Sequence, residues 1–230
     1  MKLQRFFCEE KLGGMSKIVI PRASLVNQLK NVFRLKTGSE VLLFDNSGHD
    51  YNALIDEYGK DSVSLLIIKE NENRVLPTRE TYLFASLVKK DNFEWILEKA
   101  TELGVSHIIP IISNRTEKKD LNIDRAHKII IEASEQSGRA TIPILHDVSD
   151  LEVTLNKFAH VKSIAWHTHA PKFVSQDLTD TIGAYIGPEG GWSTDEEELF
   201  NKYNIHMRSL GPQVLRSETA VIAVLSRFVF

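Results

Sequence analysis

Up to about residue 70, short apolar runs alternate with small polar turns. Each run has the length and β-branched content typical of a strand: SKIVIP at 16–21, EVLLFDNSGHDYNALI at 40–55 and SVSLLIIK at 62–69. The segment 24–38 is predicted to be one short helix that ends at Gly38. With turn chemistry at Asn46-Ser47-Gly48 and at Tyr58-Gly59, this pattern predicts a small barrel or curled sheet.

From Thr81 onwards, strand-like and helix-like patterns alternate. The clearest helix, at 91–104, has its apolar residues on one stripe: Phe93, Leu97, Ala100 and Leu103. Asp91 is expected to cap this helix with Glu94 reaching back, and Gly104 to end it. A second helix at 123–138 and strands at TYLFASLV, VSHIIPII, KSIAWH, AYIG and MRSL continue the series. This alternation predicts a largely parallel sheet covered by helices on both faces.

A polar segment separates the two patterns. It reads KENENRVLPTRE at 69–80 and is closed by Pro77, which is typical of a linker. The sequence therefore predicts two domains, at 1–72 and 78–230.

Three loops of the second domain follow predicted strands, at His167–Ala170, Gly187–Ser193 and Leu210–Arg216. In open α/β sheets, ligands bind at the carboxyl ends of the strands, so these loops are the candidate site. The first turn of the domain, VKKDNFEW at 88–95, contains no glycine. A dinucleotide-binding fold or the common methyltransferase fold would place a glycine-rich turn there, so the pattern disfavours both.

The second loop, GPEGG at 187–191, indicates a ligand approached closely by main-chain atoms. A P-loop lysine and hydroxyl are missing, and Glu189 with the acidic run 195–198 would repel a polyphosphate. A cationic or neutral ligand fits better. The alternatives are a tight structural turn for the glycines and helix-dipole stabilisation for the acidic run.

The third loop leads into a strongly apolar helix, with Ser217 as its expected N-cap. Arg216 and Glu218 stand at the mouth of this helix. Charges beside such a core are usually paired or functional, so a structural ion pair between the two is the alternative to a catalytic role.

Overall composition is that of a globular protein, with 42% hydrophobic residues and a net charge of −3. Residues 1–40 hold eight Lys/Arg against three acids, a local +5 that suits a phosphate backbone or a merely solvated face. A single cysteine, Cys8, and no apparent signal or spanning segment predict a cytoplasmic protein without disulfides or membrane contact. His167 and His169 lack further ligands, so no metal is expected.

Taken in order, the motifs resemble the RsmE family, which belongs to the SPOUT class of methyltransferases. The matching segments are RLK at 34–36, LFD at 43–45, FE at 93–94, EKATELGV at 98–105, EA at 132–133, EQSGR at 135–139, IGPEGG at 186–191, LG at 210–211, LR at 215–216 and ETA at 218–220. The resemblance spans nearly the whole chain. Trp192 and Ser217 depart from the family's usual phenylalanine and threonine, and AWHTHA at 165–170 is less typical of the first loop.

The resemblance implies an α/β fold class in which an N-terminal PUA-like β-barrel precedes a SPOUT domain with a trefoil knot. It implies methylation of N3 of a uridine in 16S ribosomal RNA of the small subunit, with S-adenosyl-L-methionine as cofactor and a homodimer that completes each site. The alternatives are a non-catalytic RNA-binding or assembly factor, and a SPOUT enzyme acting on another RNA position.

The resemblance also implies individual roles. Catalysis is expected from Arg216, with Glu189 or Glu218 orienting it or accepting the N3 proton. Cofactor contacts are expected at His167, Gly187, Pro188, Glu189, Gly190, Gly191, Leu210, Gly211, Val214, Leu215, Thr219 and Ala220. RNA contacts are expected at Arg5, Arg22, Arg34, Lys36, Lys89, Lys90, Arg115 and Arg139, each with an ordinary surface charge as the alternative.

Overall fold

The computed structural model describes residues 3–174 and 178–229. The chain divides into two compact units. One runs to Leu76 and also includes Ser134–Thr141, and the other consists of Pro77–Ala133 and the residues from Ile142 onwards. The boundary at Leu76 lies within the predicted linker, whereas no sequence pattern predicted that Ser134–Thr141 would join the first unit.

A curled five-stranded sheet forms the first unit, in the order β1-β3-β4-β5-β2. Its strands are β1 (Arg5–Phe7), β2 (Lys17–Ile20), β3 (Glu40–Phe44), β4 (His49–Tyr58) and β5 (Val63–Glu72). All pairs are antiparallel except β1 with β3. Alternation along β4 buries Tyr51, Ala53 and Ile55 in the core of the unit. The predicted N-terminal sheet is therefore confirmed.

The helix of this unit is shorter than predicted. Helix α1 (Ala23–Asn27) widens into a π-helical turn at Gln28–Val32. Arg34 then adopts a positive φ of 54°, and the Leu35 N–H donates to the Leu29 carbonyl. A left-handed residue ends the helix, so the prediction that it continues to Gly38 is wrong.

A parallel sheet forms the second unit, in the order β12-β10-β11-β6-β7-β8, with β9 also paired to β7. All of these pairs are parallel. The strands are β6 (Glu80–Ser86), β7 (His107–Ile112), β8 (Ile144–Leu145), β9 (Ser149–Asp150), β10 (Ser163–Trp166), β11 (Thr181–Ile186) and β12 (His206–Arg208).

Helices cover both faces of this sheet. They are α2 (Lys90–Glu102), α3 (Ile123–Ser137), α4 (Leu151–Lys157), α5 (Thr194–Lys202) and α6 (Ser217–Val229). Leu83 and Ala85 of β6 pack with apolar residues of α2, α3 and α6. Tyr82 and Phe84 face the opposite way and pack with α4 and α5. The predicted covered parallel sheet is confirmed, and the trefoil knot remains a prediction.

The expected cap of α2 is not formed. The helix begins at Lys90, with Lys89 at the N-cap position and no side-chain capping bond. Asp91 lies inside the first turn instead, and Glu94 pairs with Arg125 at 3.1 Å. The helix therefore starts two residues earlier than a cap at Asp91 would allow.

Arg5 is a buried structural residue of the first unit. Its side chain is 6% exposed, and its NH2 and Nε atoms donate to Asp50 Oδ1 at 2.7 and 3.1 Å. NH1 donates to the Ser134 carbonyl, and the guanidinium lies 3.5 Å from the centroid of the Phe44 ring. With its donors engaged and its surface covered, Arg5 is corrected from an RNA contact to a packing residue.

Arg139 is corrected in the same way. It is 3% exposed, Nε donates to the Thr141 carbonyl, and burial lowers the pKa of Arg139 to about 10. Neighbouring residues also tie this segment to the first unit: Glu135 accepts from the Phe7 N–H, and the Gly138 carbonyl accepts from Asn73. The EQSGR motif is thus part of the packing of the first unit.

None of the helices formed by the described residues combines the length and apolarity that crossing a bilayer requires.

We expect Arg5→Ala to lower the free energy of unfolding by about 3 kcal/mol, because it leaves the mostly buried Asp50 carboxylate without its counter-ion. Arg34→Ala is the matched control in the same unit, since Arg34 is exposed, and it should change stability by no more than about 0.5 kcal/mol. Urea unfolding followed by circular dichroism measures both values. Equal losses would contradict the structural role of Arg5.

Candidate functional site

The candidate site lies where three neighbouring strands end. β10 lies between β12 and β11 in the sheet, and all three run in the same direction. Their carboxyl ends lead directly into the three loops predicted from the sequence. The loops enclose a cavity of about 230 Å³, lined by Trp166, His167, Thr168, Ile186, Gly187, Pro188, Glu189, Gly190, Gly191, Trp192, Arg208, Ser209, Leu210, Gly211, Gln213, Val214, Leu215, Ser217 and Ala220.

The middle loop, Gly187–Ser193, is a tight turn that also lines the cavity. The Gly191 N–H donates to the Pro188 carbonyl at 2.9 Å, and Gly191 has a φ of 66° that favours glycine. A Cβ on Gly187 would lie 3.2 Å from the Trp192 ring. Because these residues are glycines, the chain can adopt the tight turn, and main-chain atoms lie at the cavity wall.

Hydrogen bonds to α6 and to the end of β10 hold the two ends of the middle loop. The Ser217 hydroxyl donates to the Gly187 carbonyl at 2.7 Å. The Trp192 Nε1–H donates to the Trp166 carbonyl at 3.1 Å, and Trp192 itself is 3% exposed. Helix α6 begins at Ser217, so this serine joins two loops across the cavity rather than standing before the helix as its N-cap.

The acidic run belongs to the start of α5. Ser193 caps the helix in a capping box with Glu196, and Asp195, Glu196 and Glu197 occupy the first turn. This placement agrees with the helix-dipole interpretation. Glu197 also lies 3.7 Å from His167 Nε2, which brings one carboxylate of the run near the cavity wall.

All of the predicted cofactor-contact residues line the cavity except Thr219, which is exposed. Eight lining residues were not among the predicted contacts: Trp166, Thr168, Ile186, Trp192, Arg208, Ser209, Gln213 and Ser217. Thr168, Trp192 and Gln213 lie inside the three predicted loops, and the other five lie within two residues of a loop boundary, so widening each loop by two residues would have included them.

Of the three predicted catalytic residues, only Glu189 lines the cavity, where it is exposed. Arg216 is exposed, and within the described part of the chain no ion pair joins it to Glu218. Glu218 is 5% exposed, and its Oε2 atom has no hydrogen-bond partner among the residues described. A buried carboxylate oxygen without a partner is costly, so Glu218 is expected to meet a further group during function.

The rings of His167 and His169 lie 5.6 Å apart. Residues 3–174 and 178–229 contain no group of three or more His, Cys, Asp or Glu side chains placed to hold a metal ion.

The remaining predicted RNA contacts differ in their surroundings. In the first unit, Arg34 and Lys36 are exposed, whereas Arg22 donates to the Phe7 carbonyl and lies 3.6 Å from Glu9. In the second unit, Lys89 and Lys90 line a cleft beside the cavity. Arg115 points instead to the middle loop, where its NH1 donates to the Gly190 carbonyl at 2.6 Å.

Comparison with known proteins agrees with this architecture. The model of the RNA methyltransferase domain family matches residues 74–229, and that of the RNA methyltransferase PUA domain matches residues 29–68. The ribosomal RNA small subunit methyltransferase E of Rickettsia conorii is 32% identical over 99% of this chain and 95% of that protein. The protein of the same name from Bacillus subtilis is 31% identical over 87% of this chain and 85% of its own length.

A solved structure shows the same fold. The crystal structure of ribosomal RNA small subunit methyltransferase E from Neisseria gonorrhoeae, bound to S-adenosyl methionine, has a TM-score of 0.90 and 28% identity, covering 98% of this chain and 96% of that one. The PUA-domain model thus matches the N-terminal part of the chain and the methyltransferase-domain model the rest, and two relatives exceed 30% identity. The chain therefore belongs to the ribosomal RNA small subunit methyltransferase E family.

Proposed function

We propose that this protein transfers a methyl group from S-adenosyl-L-methionine to N3 of a uridine in 16S ribosomal RNA. One observation carries the proposal: three loops at the carboxyl ends of adjacent parallel strands form a single cavity, and the chain that forms them belongs to this methyltransferase family. The cavity is the proposed cofactor site.

The lining of the cavity fits a sulfonium nucleoside. Its apolar side chains, including Ile186, Leu210 and Ala220, suit an adenine ring, and the glycine-rich loop offers main-chain donors and acceptors to the ring edge. The charged side chains among the described lining residues are those of Glu189 and Arg208, and no lysine occurs there. The Glu189 carboxylate at the wall tolerates a cationic sulfur.

The reaction asks two things of the protein. S-adenosyl-L-methionine supplies an electrophilic methyl group, so the uridine must be held with N3 in line with it, at near-attack distance. N3 of neutral uridine also carries a proton and has no free lone pair. As the N3–H bond breaks, its proton would pass to a base, and the electron pair left on N3 would form the new bond to the methyl carbon. The bond from that carbon to the sulfonium sulfur would break at the same time, and its electron pair would stay on the sulfur, which leaves as a neutral thioether.

Three side chains near the cavity suit these tasks. Arg216 is exposed at the end of the third loop and has no ion-pair partner among the described residues, so it can hold the uracil and the negative charge that develops on it. The proton acceptor is Glu189 or Glu218. Glu189 lies at the cavity wall, and Glu218 has the buried oxygen without a described partner.

Arg216→Ala is expected to lower kcat at least a hundredfold, because stabilisation of developing charge is lost, while the Kd for the cofactor changes less than about threefold. Single-turnover methylation of ribosomal RNA and calorimetric titration of S-adenosyl-L-methionine measure the two quantities. Arg227→Ala, in the last turn of the helix that follows Arg216, is the control and should leave both unchanged.

Near-normal turnover of the Arg216→Ala protein would exclude this role. If Glu189→Gln and Glu218→Gln both kept full activity, neither carboxylate would be the proton acceptor. Cofactor binding without any methylation of ribosomal RNA by the unmodified protein would favour a non-catalytic assembly factor or another RNA target.

We propose that the RNA backbone binds in a second cleft of the same domain. This cleft, of about 540 Å³, shares Glu189 with the cofactor cavity and is lined by four lysines: Lys89, Lys90, Lys118 and Lys119. Lys90 lies 3.8 Å from Glu94, while the other three have no ion-pair partner in the described structure. Glu117 and Asp120 also line it, so the unpaired lysines rather than a large net charge would bind the phosphates.

Single substitutions Lys89→Ala and Lys119→Ala should each weaken RNA binding and reduce the salt dependence of log K by about 1, as expected for the loss of one phosphate contact. Lys162→Ala is the matched control, because this exposed lysine lies just before the amino end of β10 and outside the cleft. Filter binding at several salt concentrations measures the slopes. Unchanged slopes for both variants would exclude this cleft as the RNA surface.

We further propose that the protein acts as a homodimer. Val214 is 81% exposed and Leu215 is 38% exposed, so the third loop presents apolar side chains that a second copy can cover. Val214→Asp should raise the dimer Kd by about tenfold or more, while Val153→Asp on α4, also exposed at 55%, should not. Sedimentation velocity measures both, and a monomeric unmodified protein would contradict the proposal.

A further inference from the structure

We propose that Arg115, together with Asn114, is a positioning residue that holds the glycine-rich middle loop in its cofactor-binding shape. The two residues belong to the segment that follows β7, which lies outside the three cavity loops. This inference rests on the proposed function, since the loop matters only if it binds the cofactor. It also replaces the expectation that Arg115 contacts RNA.

Arg115 contacts Gly190, at the centre of the loop, in two ways. Its NH1 atom donates to the Gly190 carbonyl at 2.6 Å. The stem of the side chain packs on the same residue, because a Cβ on Gly190 would lie 3.2 Å from both Cβ and Cδ of Arg115. The guanidinium therefore fixes the direction of one carbonyl in the cavity wall.

Asn114 holds the end of the loop. Its side-chain amide donates to Ser193 Oγ at 2.8 Å, and its main-chain N–H donates to Glu196 Oε1 at 2.8 Å. The other oxygen of Glu196 accepts from the Ser193 N–H at 2.7 Å. Glu196 is 2% exposed, so one buried carboxylate joins the segment after β7 to the start of α5.

The loop needs such support because of its composition. Glycines leave the unfolded loop with many conformations, and ordering them upon cofactor binding costs free energy. Contacts that order the loop beforehand remove part of that cost, and they act on affinity more than on the chemical step. The loss of Arg115 should therefore weaken cofactor binding and spare turnover at saturating cofactor.

The decisive experiment compares Arg115→Ala, Arg115→Lys and the unmodified full-length protein. Calorimetry gives the Kd for S-adenosyl-L-methionine, and steady-state kinetics give kcat and the KM for each substrate. We expect Arg115→Ala to raise the cofactor Kd and KM about tenfold, with kcat within about threefold and the RNA salt slope unchanged. Arg115→Lys keeps a cationic donor and should recover most of the affinity.

Arg125→Ala serves as the control, since it removes an exposed arginine that pairs with Glu94 and should leave cofactor affinity unchanged. A higher RNA KM and a flatter salt slope for Arg115→Ala, with normal cofactor affinity, would overturn the inference and make Arg115 an RNA contact. Equal cofactor affinity in all variants would also overturn it. If the unmodified protein bound no cofactor, the proposed function would fail and this inference with it.

Discussion

The candidate site depends on the parallel pairing of β10 with both of its neighbours. Ala165 lies opposite Tyr185 of β11 on one side and opposite Met207 of β12 on the other. Since the three strands run in the same direction and in register, the loops that follow them start at one edge of the sheet. Segments far apart in sequence therefore meet at the cavity. A slip of one residue would turn every side chain of the slipped strand to the other face of the sheet and shift its loop relative to the other two.

The charged residues of the cavity differ from those of the cleft beside it. The proposed cofactor cavity is lined largely by glycines and apolar side chains, with Glu189 and Arg208 as its charged residues, whereas four lysines line the adjoining cleft. One short segment after β7 serves both, since Asn114 and Arg115 bond to the middle loop and Lys118 and Lys119 follow in the cleft. In the proposed function, the methyl donor and the RNA would thus bind on adjoining surfaces that share Glu189.

Periodicity and turn residues were enough to predict the covered parallel sheet and the three loops, because both arise from local sequence and from the direction of the strands. The partners of individual charges were not predictable. Arg5 begins β1 and Arg115 follows β7 by three residues, yet one is buried against Asp50 and the other bonds to the Gly190 carbonyl. Those partners are 45 and 75 residues away, and no local pattern encodes such distances. The predicted cap at Asp91 is wrong because helix boundaries shift easily by one or two residues, and here the N-cap lies two residues earlier, at Lys89.

The prominence of main-chain atoms in the cavity wall has a consequence for inhibition. Every amino acid presents the same N–H and C=O groups, so a compound that hydrogen-bonds to the middle loop does not depend on the identity of any one side chain there. Resistance by point mutation would have to alter the path of the backbone, and at Gly187 or Gly191 a larger residue would meet the Trp192 ring or an unfavourable φ. Such mutations would also impair the binding of the natural ligand, which leaves few viable routes of escape.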